Sequence, residues 1–301
     1  MANQKEIKSV SDLLTYLAEK EVERTEDIKK LEQEGKIEEV KKEKHKKWIY
    51  RGQGKPASDP KYCLIPSVGR PEFSKPTEKR MQFENFVKRE KLAHDIFRKQ
   101  TVANVNPLPR NSWEVLALAQ HHGLPTRFMD WTTNPLVALY FAVRNPEHDG
   151  ADSQSAIYAL TQPTLSYEEL VDNTRGESRK QMEESLEVKR GKTNRIQERH
   201  IKVLLGAEEI SPFEITENVI YDPPHVSPRI RAQDGLLLAF QNPVKELPDT
   251  HYIELLIPGL SRDKIRRELE QYGVFDKQLF PDLDGLAKWL KFKVFDSFEK
   301  A

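Results

Sequence analysis

The sequence predicts an α+β fold: a mainly antiparallel central sheet flanked by helices, preceded by a charged helical segment. Three observations carry this expectation. Short runs rich in β-branched and aromatic residues recur at Trp48–Gly52, Thr126–Thr132, Ala156–Leu160, Val219–Tyr221, Leu236–Phe240 and Tyr252–Ile257. Between them lie stretches whose apolar residues fall at helical spacing. The alternation lacks the regular strand–helix–strand rhythm of a parallel sheet, which favours antiparallel pairing.

At the N-terminus, Ile7, Val10, Leu14 and Leu17 recur at helical spacing, with Ser11 as the expected N-cap of a short first helix. Apolar positions then thin out, and residues 21–47 read as a solvated helix or helical hairpin broken at Gly35. Trp48 to Gly52 is a strand running into a long loop rich in Pro, Gly and Ser, which extends to Pro76. Phe83, Phe86, Val87 and Phe97 mark an amphipathic helix through Gln100. Asn111 with Glu114 has the form of a capping box opening the next helix, which Gly123 closes. Asn134-Pro135 is an N-cap followed by the proline favoured at the first helical position, and Leu136 to Val143 is apolar nearly all round, hence buried. Residues 167–205 form a polar, helix-compatible insert interrupted at Gly176 and Gly191. Two terminal helices are expected, Arg262–Tyr272 between Ser261 and Gly273, and Pro281–Phe292. The organisation is thus a charged segment over 1–47, packed on a main domain over 48–301.

Composition bounds the function. The 301 residues are 37% hydrophobic and 32% charged, and 48 basic residues balance 48 acidic ones. That neutrality disfavours broad binding to duplex nucleic acid, whose affinity rests on phosphate neutralisation, while leaving room for a local basic site. A single cysteine, Cys63, excludes an intrachain disulfide and a cysteine zinc cluster. The first residues lack a secretory apolar core and no apolar run is long enough to span a bilayer, so a cytoplasmic setting without membrane partners is expected.

Phosphate-loop, dinucleotide-fingerprint, HExxH and GxSxG motifs are all missing, and three other clusters stand out. The first is Tyr50-Arg51-Gly52-Gln53. An arginine in an apolar strand is costly to bury unless it meets an anion or a carboxylate, and Gly52 permits close backbone approach. A buried arginine–carboxylate pair tying strand to helix explains the same tetrapeptide. The second runs from Gln120, His121 and His122 through Thr126, Arg127, Asp130 and Trp131 to Thr132, between two buried helices. Asp130 is its one carboxylate and a candidate acid or base. Equally, Asp130 could pair with Arg127 or Arg51 while the histidines cap their helix. His121 and His122, being adjacent, point to different helix faces, so no metal site is expected. The third cluster is Arg229, Arg231, Gln233, Asp234 and Gly235, which reads as a ligand-facing loop or a plain turn.

In this order the clusters resemble the FRG domain family, named for its aromatic-Arg-Gly element. Tyr50-Arg51-Gly52-Gln53 is followed by Leu64-Ile65-Pro66-Ser67-Val68-Gly69-Arg70, then Ala119 to Arg127 with Asp130-Trp131-Thr132. Pro228-Arg229 through Gln233-Asp234-Gly235 and Leu279 to Leu286 complete the pattern, over roughly residues 5 to 295. More distantly, the resemblance reaches the ADP-ribosyltransferase fold. It implies NAD as a substrate, with Tyr50, Arg51, Gly52, Gln53, Arg70, Gln120, His121, Thr126, Arg127, Trp131 and Arg229 as binding residues. Arg51, His122, Asp130 and Gln233 become catalytic candidates.

The late polar element departs from that fold's pattern. It offers Gln233 beside Asp234 where a glutamate is usual, and Gln233 cannot act as a base. Glu254 lies on a later strand in a context of ordinary alternation. Three functions therefore compete. The first is an enzyme that cleaves NAD to modify a macromolecule of unknown identity or to hydrolyse the dinucleotide. The second is a non-catalytic module sensing a nucleotide or anion, and the third a nucleic-acid-acting protein using Arg127, Arg229 and Arg231. By analogy alone, an enzyme of the first kind would serve as a toxin or anti-phage effector.

Overall fold

The computed structural model describes residues 5–45, 48–70, 83–146, 149–162, 164–188, 210–224 and 231–296. Eight strands form one sheet in the order β1-β8-β4-β2-β3-β7-β6-β5. They are β1 (Lys5–Glu6), β2 (Ile49–Gln53), β3 (Phe128–Thr132), β4 (Gln154–Leu160), β5 (Leu165–Ser166), β6 (Val219–Tyr221), β7 (Gly235–Ala239) and β8 (Tyr252–Pro258). The five inner pairings are antiparallel, whereas β1 on β8 and β5 on β6 are parallel. The sheet is therefore mixed rather than mainly antiparallel. The parallel pairs belong to edge strands of two residues, too short to show any alternation in sequence.

The helices are α1 (Val10–Gln33), α2 (Ile37–His45), α3 (Phe83–Thr101), α4 (Ser112–His121), α5 (Pro135–Val143), α6 (Tyr167–Val188), α7 (Arg262–Gln271), α8 (Asp276–Leu279) and α9 (Leu283–Leu290). Among the described residues, no helix is long and apolar enough to cross a membrane.

The first helix is not short. It runs unbroken for 24 residues, and its cap is Ser9, not Ser11. Ser9 is extended and its hydroxyl accepts from the Asp12 N–H at 3.1 Å. Val10, Leu13 and Tyr16 are buried against the sheet, and the Glu268 carboxylate of α7 accepts from the Val10 N–H at 2.7 Å. Gly35, at φ +71°, turns the chain into α2. At α4, Asn111 accepts from the Glu114 N–H at 2.8 Å, but the Glu114 side chain reaches back to Arg110 rather than to the cap. Asn134 caps α5 through the Leu136 N–H at 3.0 Å, with Pro135 at the first helical position.

Two expectations fail at the ends of elements. Helix α6 continues through Gly176 without a break, while Gly191 and the rest of that insert lie outside the described residues. The last expected helix, α9, is present but starts at Leu283 rather than Pro281: its cap is Asp282, whose carboxylate accepts from the Gly285 N–H at 2.7 Å, and the short α8 is a separate, unexpected element before it. A π-helical turn over Lys291–Asp296 extends it.

One face of the sheet is covered by α5 with α1 and α7 behind it, burying Tyr50, Ile157, Leu255 and Ile257. The opposite face carries Ile49, Met129, Trp131, Tyr158 and Leu238 beneath Leu64 and Leu247 of the loops. Helix α5 lies so close on β2 that a Cβ at Gly52 would stand 1.8 Å from the Ala138 carbonyl oxygen. Glycine is required there by the backbone approach itself.

Candidate functional site

The sheet is nearly divided down its middle. Strand β2 pairs with β4 over five residues and β3 pairs with β7 over five, yet β2 and β3 share a single register pair, Tyr50 with Thr132. Beyond that pair the two strands part, and a cleft of about 280 Å³ opens at the seam. Arg51 and Gly52 border it from β2, Asp130 and Trp131 from β3, Gln120 and His121 from the end of α4, and Gln233 from the turn before β7. Residues far apart in sequence, from the first, second and third motif clusters, thus line one space.

Arg51 bridges the seam: its Nη1 donates to the Asp130 backbone carbonyl at 2.7 Å. Its Nε is buried and bonds to nothing among the described residues. Burial pushes the guanidinium below its ordinary pKa, and Arg70 adds to that shift, while Asp130 and Tyr158 oppose it. Such a half-desolvated cation is favourable to keep only if an anion compensates it. The buried arginine–carboxylate pair is not formed, because Arg51 meets the carbonyl of Asp130 and not its carboxylate.

The Asp130 carboxylate is exposed and is positioned by a relay. Gln120 donates to it through Nε2 at 3.2 Å, and the Gln120 amide oxygen accepts from the Thr126 hydroxyl at 2.7 Å. That hydroxyl also accepts from the Phe128 N–H at 3.1 Å, locking the start of β3. Thr126 is fully buried and lies outside the cleft lining, so it supports Gln120 rather than meeting a ligand. Tyr50 is buried and its hydroxyl is pushed up to about 12, by burial first and by Glu21 second. Gln233 donates through Nε2 to the Leu279 carbonyl of α8 at 3.1 Å.

Four further candidates fall elsewhere. Arg127 is fully buried and forms a two-pronged pair with Glu90 of α3, at 2.9 and 2.7 Å, and donates to the Pro212 carbonyl at 2.8 Å. Its guanidinium also lies over the Phe213 ring. This arginine is frame and not ligand contact, because its donors are spent on groups the fold itself supplies. Gln53 shares the Arg51 face of β2 but is buried beyond the cleft, donating to the Tyr62 carbonyl at 2.8 Å. His122 is exposed as the C-cap of α4 and is not a cleft residue, although its ring lies edge-on to His121. Arg70 is outside the lining as well, its Nε facing the Ile65 carbonyl at 3.4 Å. Arg229 lies outside the described residues.

Glu254, the alternative late glutamate, sits in a cross-strand row with Tyr158 and Arg51. It accepts the Tyr158 hydroxyl at 2.8 Å and does not border the cleft. Phe141 of α5 and Ala117 of α4 do border it, and sequence reasoning passed over both. An apolar wall residue carries no chemical signature, and the apolar face of α5 signals burial only.

The sheet, parted by a lined cleft, defines an α+β protein with a cavity at the centre of its sheet. The sequence model of the FRG domain matches residues 46–151, so an FRG domain is present in this chain. The matched span contains β2, α4, β3 and the seam between them, while Gln233 lies beyond it. No curated protein and no solved structure matches the chain.

Proposed function

We propose that the seam cleft binds NAD and cleaves the bond between nicotinamide and ribose, passing the ADP-ribose to water or to a macromolecular acceptor. The observation that carries this reading is the meeting of Arg51, Asp130 and aromatic walls in one cleft. Arg51 offers a guanidinium that is bonded to no carboxylate among the described residues and is suited to a pyrophosphate oxygen. Tyr50, Trp131 and Phe141 offer surfaces on which a flat ring packs. In hydrolysis, the C1′–N bond breaks with its electron pair left on the nicotinamide ring. Water oxygen then bonds to C1′, and the proton it releases goes to the Asp130 carboxylate. The same carboxylate, held by Gln120, stabilises the positive charge that develops on the ribose. A cytoplasmic setting and a toxin or anti-phage role belong to this proposal by analogy.

A specific observation favours a second reading, a nucleotide-sensing module without catalysis. Among the described residues Asp130 is the only carboxylate of the cleft lining, and Glu254 is engaged by Tyr158 away from it. Nucleic-acid binding loses support because Arg127 is consumed by Glu90. One experiment separates the two remaining readings: NAD is incubated with the protein and with Arg51→Ala and Asp130→Asn, and free nicotinamide is measured beside the melting temperature. Turnover lost in both variants supports the enzyme. Stabilisation without turnover supports the sensor. NAD that neither stabilises the protein nor is consumed, with cell lysate as acceptor source, refutes both.

A further inference from the structure

A second pocket, of about 240 Å³, lies on the other side of α5 and shares no lining residue with the seam cleft. Its walls are aromatic: Tyr140 from α5, Phe275 at the start of α8, Trp289 from α9 and Phe292 from the π-helical turn. The Phe275 and Trp289 rings are 5.8 Å apart and inclined by 34°, and the Lys277 ammonium lies over Trp289 at 5.3 Å. Such surfaces suit a flat conjugated ring, whatever its substituents.

The rim is cationic, and charge accounting shows which cations are uncommitted. Arg266 is engaged by Asp149 and by the Val143 carbonyl. Glu270 accepts from the Trp289 indole N–H at 3.3 Å and from Lys293 at 2.9 Å. Arg144, Lys288 and Lys291 make no ion pair among the described residues, although the Lys288 ammonium lies 5.9 Å from the Phe280 ring; of the two lining carboxylates Glu270 is engaged, which leaves Asp276. The Arg144 guanidinium instead rests over the rings of Phe280, Phe141 and Tyr140, at 5.2, 5.6 and 5.9 Å. A neutral apolar ligand would desolvate these cations without return, whereas an anion answers them.

We propose that this pocket is a second ligand site, taking a planar aromatic anion of the nucleoside monophosphate class. The ring lies against Trp289 and Phe275, and the phosphate faces Lys288 and Lys291. The site is joined to the cleft by two routes. Phe141, which borders the cleft, meets Phe280 at 6.2 Å, and Phe280 carries the Arg144 cation. Gln233 of the cleft is bonded to the carbonyl of Leu279, the residue before Phe280. These contacts run from the second site to both walls of the first.

The test is calorimetric titration of the full chain with AMP, and separately with adenosine and with inorganic phosphate. AMP is expected to bind, with Trp289→Leu and the double variant Lys288→Glu/Lys291→Glu each weakening it by about tenfold or more. Arg51→Ala, which alters only the cleft, is expected to change that affinity by less than about twofold. Circular dichroism melts confirm that each variant is folded; the two lysines lie on the outer side of the C-terminal helices and their double variant provides the readout if Trp289→Leu fails to fold. No heat from AMP at millimolar concentration overturns the proposal. So does binding abolished by Arg51→Ala yet indifferent to the lysines, or adenosine or phosphate alone binding as tightly as AMP.

Discussion

Arg51 stands in β2 and Arg127 immediately before the neighbouring β3, both in strong motifs, and they are used in opposite ways. Arg127 is sealed from solvent with a carboxylate, a carbonyl and an aromatic ring arranged around it. Arg51 is half-desolvated, bonded once across a parted seam, and left with a buried nitrogen unanswered. The difference is between a charge the fold completes and a charge the fold leaves for something else. A motif arginine is thus not a ligand contact by type; its surroundings decide.

The largest expected effect falls on the completed pair. Removing one member strands the other in the core, so Glu90→Ala and Arg127→Met should each lower unfolding free energy by about 3–5 kcal/mol. Urea melts would reveal this, and a loss below about 1 kcal/mol would mean that Arg127 is not frame at all. Arg51→Met should cost less than about 1 kcal/mol, since it deletes one hydrogen bond but also relieves a desolvated cation. A loss as large as that of Arg127→Met would erase the distinction.

The smallest effect concerns pH. The Tyr50 hydroxyl is raised to about 12 by burial in the cleft wall, whereas in the unfolded chain it ionises near its ordinary value of about 10. Its contribution to stability is whole below pH ~10 and is lost as pH rises toward 12. Tyr158, Tyr221 and Tyr252 are shifted the same way, so Tyr50→Phe should make the alkaline decline of the melting temperature shallower without removing it. An unchanged slope would show that this wall is wetter than its burial implies.

Much of the framework was legible because it rests on local signals. Alternation and β-branching located six strands, and the Asn111 and Asn134 caps placed the starts of α4 and α5 correctly. What escaped was non-local. Strands β1 and β5 exist only because β8 and β6 offer edges to them. Glu90, the partner that decides the role of Arg127, lies 37 positions earlier on α3, and no spacing rule connects the two. The lining of the cleft was read better than its depth. Tyr50, Arg51, Gly52, Gln120, His121, Asp130, Trp131 and Gln233 do border it, while Gln53, Arg70, His122, Thr126 and Arg127 do not. The second group shares the motifs of the first, and only the place of each side chain in the fold separates them.

The short parallel strand at the N-terminus has a further consequence. Lys5 and Glu6 lie along Leu255 and Leu256, and the Ile7 N–H continues the ladder onto the Leu256 carbonyl at 2.8 Å. Those three residues stand between the apolar middle of a seven-residue strand and any other chain that seeks a pairing partner. The two charged side chains they carry make poor templates for extension. These three residues thereby cover the β8 edge of the sheet, while β5 forms its other edge.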